Sequence, residues 1–104
     1  MDDELPAELD PPDGVADAES AVEVLRAWIG DGALLVSLNS SAFGDQTAEW
    51  GRLLAEIGHH VAKSAALNGY MQEEEARAAV RDAFTTSFET AASGSGSLRG
   101  QLKH

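Results

Sequence analysis

Between residues 45 and 68 the apolar positions fall at Trp50, Leu53, Leu54, Ile57, Val61 and Ala65. This is the three-and-four spacing of a helix that buries one stripe, and it predicts the element around which the chain is organised. Asp45 is the expected N-cap, and Asn68-Gly69 the expected stop, because both residues tolerate the left-handed backbone at a helix end. Gly51, Ala55, Gly58 and Ala62 line one flank of the apolar stripe. Two glycines inside a helix cost about 1 kcal/mol each relative to alanine, so a close backbone crossing is expected to offset them. The next helix of the same chain is the expected partner; the alternative is a contact between two subunits.

That next helix is predicted from about Met71 to Ala92, with Ala76, Val80, Ala83, Phe84, Ser87, Phe88 and Ala91 as its buried stripe. Glu73, Glu74 and Glu75 suit its first turn, where the helix dipole favours negative charge. Only Gly69 and Tyr70 fill the link, so the two helices should form an antiparallel hairpin.

Upstream, residues 21–38 admit two readings. Ser20 to Glu23 fits a capping box, and Val22, Leu25, Trp28 and Ile29 fit a short helix ending at Gly30. Alternatively, Asp31-Gly32 marks a type I′ turn of a β-hairpin. Folding there opposes Leu25 to Leu38, Ala27 to Val36 and Ile29 to Leu34, which gathers six apolar side chains on one face. Residues 33–38 read as a strand in both schemes, and only the hairpin gives that strand a partner within its own chain. The hairpin is therefore the expectation, with one strand edge left free as a plausible dimer contact. Phe43, ahead of the long helix, should pack beneath it.

The expected fold class is α+β: a β-hairpin packed on an antiparallel two-helix hairpin, in a single domain over residues 20–92. The alternative is a mostly helical chain with one strand paired across a dimer. Residues 1–19, rich in acids and prolines, are expected to form a disordered leader, and residues 93–104, SGSGSLRGQLKH, a flexible tail.

Charge changes this picture in one respect. The 104 residues carry a formal net charge of −11, yet nine of the eighteen acids lie in the first 23 positions, ahead of the first basic residue, Arg26. The remainder is close to balanced. Such a surface argues against nucleic-acid binding and is compatible with a basic protein partner. No apolar run reaches membrane-spanning length, and there is no cysteine, which suits a cytoplasmic protein.

Candidate chemistry is sparse. Glu56 and His59 have the Glu-x-x-His spacing used by helical di-iron sites, and His60 lies at the edge of the apolar stripe. A metal would need further ligands from another helix or subunit. No serine sits in a Gly-x-Ser-x-Gly turn, and no phosphate-binding loop is present. No catalytic, cofactor or metal residue is therefore assigned.

Arg26-x-Trp28, then Leu34-x-Val36-Ser37-Leu38, then Trp50-Gly51-x-Leu53-Leu54-x-x-Ile57-x-x-His60-x-Ala62 together resemble a small bacterial family, domain of unknown function 5076. The resemblance runs from about residue 5 to residue 88. The alanine- and serine-rich second helix and the Ser/Gly-rich extension depart from the family pattern. The family brings no activity; the resemblance implies that Arg26, Trp28, Trp50, Gly51 and His60 are positions to probe, with Ala55 and Gly58 added by the small-residue flank. The functional expectation is a non-enzymatic, homodimeric protein-interaction domain. The alternatives are an acidic polyanion mimic or basic-partner binder driven by the leader, and a metal-dependent or enzymatic site at Glu56, His59 and His60.

Overall fold

The computed structural model describes residues 7–90 and 100–103. Its elements run α1 (Asp13–Asp17), β1 (Leu25–Gly30), β2 (Ala33–Leu38), α2 (Ala48–Leu67), α3 (Glu73–Thr90) and β3 (Gly100–Lys103). The domain is α+β, with a β-hairpin and an antiparallel helical hairpin.

The hairpin has the register that the Asp31-Gly32 turn dictates: Leu25 pairs with Leu38, Ala27 with Val36, and Ile29 with Leu34. Asp31 and Gly32 both have positive φ, 53° and 78°, as a type I′ turn requires. The Asn39 amide extends the ladder by donating to Val24 O at 2.9 Å. The competing short helix over residues 21–29 is not formed, and β2 finds its partner within the chain.

β2 is the central strand, because β3 pairs parallel to its other edge and sets Leu102 opposite Val36. Composition alone places residues 93–104 in a flexible tail; residues 100–103 instead satisfy the backbone groups that β2 would otherwise expose. The rest of that tail, residues 93–99 and 104, lies outside the described residues, as do residues 1–6 of the leader. The described part of the leader is exposed throughout and contains only the five-residue α1. Among the described residues the outer edge of β1 has no strand partner.

The long helix starts three residues later than its expected cap. Thr47 occupies the N-cap position of α2, without a side-chain capping bond. Asp45 lies in a run of tight turns, in which Gln46 N donates to Phe43 O and Glu49 N to Gln46 O, both at 3.0 Å. These turns lead into the helix, so its first residue is Ala48 rather than Gln46. The far end is as predicted: Gly69 has φ 76°, Gly69 N donates to Ala66 O, and Tyr70 N donates to Ala65 O at 2.9 Å. This is a Schellman ending, and it turns the chain directly into α3. There Gln72 N donates to Glu75 Oε1 at 3.3 Å, half of a capping box.

The helices cross through small residues. Ala62 and Ala76 are 1% and 3% exposed, and they are the fully buried core among the described residues. Close backbone approaches join β1 to β2, β2 to β3 and α2 to α3, but none joins the sheet to either helix. The large apolar stripe of α2 stays partly in water at Leu54, Ile57 and Val61.

Candidate functional site

The small-residue flank of α2 divides into two halves. Gly58 and Ala62 serve the crossing within the chain; a Cβ on Gly58 would lie 3.5 Å from Val80 Cγ1. Gly51 meets nothing within 4 Å. Together with Ala55 it forms part of the floor of a groove of about 510 Å³ where the helices diverge. Leu54 and Gly58 continue the α2 wall, and Val80 and Phe84 form the α3 wall. His59, Arg77 and Arg81 stand on the rim. Each arginine has an acidic neighbour of its own, Glu74 for Arg77 and Asp82 for Arg81 at 3.2 Å, so the rim is close to neutral.

Two further hollows lie on the helices. One, on α2, is lined by Ile57, His60, Val61, Ser64, Ala65 and Tyr70. The other, on α3, is lined by Val80, Ala83, Phe84, Ser87 and Phe88, whose Phe84 and Phe88 rings stack at 5.6 Å. Ile57, Val61 and Phe84 remain 40%, 49% and 48% exposed, and Phe88 71%. None of the three hollows is lined by an aspartate or glutamate.

The remaining candidates sit elsewhere. Arg26 lies exposed on β1, where it donates to both Glu23 oxygens at 3.1 and 3.2 Å and to Glu8 Oε2 at 2.9 Å. The hydrogen bond and charge of Glu23, followed by those of Glu8, hold the guanidinium above its ordinary pKa. Trp28 is half-buried beside it and opposite Leu35, and Arg26 and Trp28 line a small hollow with residues 7–9 of the leader. Trp50 is half-buried at the start of α2, with Phe43 edge-on to its ring at 5.0 Å and 83°. His60 is exposed. The structure thus gathers Gly51, Ala55 and Gly58 in one groove, and distributes Arg26 with Trp28, Trp50, and His60 over separate surfaces.

Glu56 and His59 are one turn apart on α2. Among the described residues, no three His, Cys, Asp or Glu side chains come together in a way that could hold a metal ion. The period of α3 puts Phe84 on its expected buried stripe, whereas Arg77 and Arg81 are not expected at the groove, because the crossing angle decides which of them face α2.

These features define a small α+β domain with an apolar groove between its two long helices. The chain belongs to the family described as Domain of unknown function (DUF5076), which it matches over residues 8–91. It is also similar to a solved structure described as "Structure of a putative pyruvate dehydrogenase from the photosynthetic bacterium Rhodopseudomonas palustrus CGA009". Identity is 33%, the TM-score is 0.60, and the match covers 81% of this chain and 95% of that one. No curated protein matches the chain. Among the described residues, no helix is long and apolar enough to cross a membrane.

Proposed function

We propose that this domain works by binding, as a homodimeric protein-interaction module, and that it does so without catalysis. The observation that carries the reading is the apolar surface of α2 and α3: Leu54, Ile57, Val61, Phe84 and Phe88 repeat at helical spacing, yet each is more than a third exposed. A domain with two fully buried alanines among its described residues gains stability by covering such side chains with another protein. A catalytic reading has less to build on. An acid–base site needs a titratable group whose surroundings perturb it, and no polar or charged side chain is buried among the described residues. The dehydrogenase activity named for the similar structure is therefore not extended to this chain.

Multi-angle light scattering of the full chain over a hundredfold dilution series tests the reading. A mass twice the 10.9 kDa of one chain supports it, and a monomer at every concentration refutes it.

The exposed acidic leader favours a second reading, in which it captures a basic protein. Removing residues 1–19 then abolishes binding of polylysine while leaving the circular dichroism spectrum unchanged; retained binding rules the idea out.

A further inference from the structure

We propose that residues 7–9 form a strap over β1, latched to the strand by the Glu8–Arg26 ion pair and opened by salt. The device works within one copy of the chain and does not depend on how many copies associate.

Arg26 is the first basic residue of the chain, and two carboxylates share it. Glu23, three positions earlier, accepts from Nε and Nη2 at 3.1 and 3.2 Å. A two-pronged bond of this kind fixes the guanidinium plane, because both donors must meet one carboxylate. The remaining nitrogen, Nη1, donates to Glu8 Oε2 at 2.9 Å, 18 positions up the chain. Glu23 therefore orients the arginine, and Glu8 fastens the leader to it.

The surroundings of the pair have the shape of a strap. Ala7, Glu8 and Leu9 line one hollow of about 220 Å³ together with Glu23 and residues 25–28. The chain between the two ends is locally bent. Pro11 and Pro12 hold their φ angles fixed, and Pro12 O accepts from Val15 N at 3.0 Å to begin the short turn of α1. Such constraints reduce the entropy lost when residue 8 returns to the strand.

Charge is the fastening. Among the described residues no backbone hydrogen bond joins residues 7–10 to β1, and Leu9 is 96% exposed. The side chains of Arg26 and Glu8 are themselves 45% and 60% exposed. An exposed pair loses most of its attraction in 1 M salt, where the screening length falls to about 3 Å. Arg26 and Trp28 stand on the same face of β1, two positions apart. Opening the strap therefore bares an arginine and a tryptophan side by side.

The chain has no cysteine, so a nitroxide can be attached at one position, Leu9→Cys. The nitrogen-15-labelled full chain carrying it is diluted into excess unlabelled chain, so that only contacts within one copy are read. The expected result at low salt is broadening of the amide resonances of residues 25–28. Glu8→Gln and 1 M NaCl should each weaken that broadening about twofold or more, with the circular dichroism spectrum unchanged. Glu19→Gln, which removes the same charge from a leader residue that makes no ion pair among the described residues, should leave it intact. Broadening that is absent from the native chain, or undiminished in Glu8→Gln, overturns the latch. An equal loss in Glu19→Gln assigns the effect to the overall charge of the leader and overturns it as well. Full broadening in 1 M NaCl contradicts a strap fastened by charge.

Discussion

Gly58 faces Val80 across the helical hairpin, and a methyl group on Gly58 would rest 3.5 Å from Val80 Cγ1, at ordinary contact distance. The crossing therefore tolerates alanine at this position and little more. Gly58→Ala should stabilise the fold by about 0.5–1 kcal/mol through helix propensity, because the added methyl fits. Gly58→Val should destabilise it by about 1–3 kcal/mol, since its extra methyls must push Val80 away. Urea denaturation of the two variants at one protein concentration distinguishes these signs.

The hairpin turn depends on a different glycine. Gly32 has φ 78°, a conformation that a β-branched residue adopts only under strain. Gly32→Val should cost about 1–2 kcal/mol, read as a lower urea midpoint with an unchanged slope.

Phe43 and Trp50 tie the loop after β2 to the first turn of α2. Phe43→Ala removes the edge-to-face contact and part of the apolar cover of the indole, and should cost about 1–2 kcal/mol. Scanning calorimetry at fixed concentration measures the loss.

At the start of α3, Glu75→Ala removes the acceptor for the Gln72 amide. The expected cost is about 0.5–1 kcal/mol, partly offset by alanine's higher helix propensity. Glu75→Gln, which retains an acceptor, should recover most of it in the same denaturation experiment.

Much of the fold could be read from the residues because local rules decided it. Asp31-Gly32 sets the phase of the hairpin, and once the turn is placed the pairing of Leu25 with Leu38 follows. Gly69 likewise dictates the Schellman ending and the antiparallel return. Where longer-range structure decides, the residues mislead or fall silent. Asp45 has the chemistry of a cap, yet a run of turns between Asn39 and Trp50 precedes the helix and Thr47 takes the N-cap position. Residues 100–103 have linker-like neighbours, but the open edge of β2 recruits them. The site divides along the same line. The flank of Gly51, Ala55 and Gly58 was visible as a period along one helix, whereas its pairing with Arg77, Arg81 and Phe84 depends on how two helices cross. The openness of the helical face could not be seen at all, because an amphipathic pattern states what wants covering and not what covers it.

The central claim is that the chain works as a homodimer that covers exposed apolar side chains of its helices, and the dependence of thermal unfolding on concentration tests it most directly. If folding is coupled to dimerisation, the melting temperature of the full chain rises steadily as its concentration is raised a hundredfold. A melting temperature that stays constant across that range contradicts the claim.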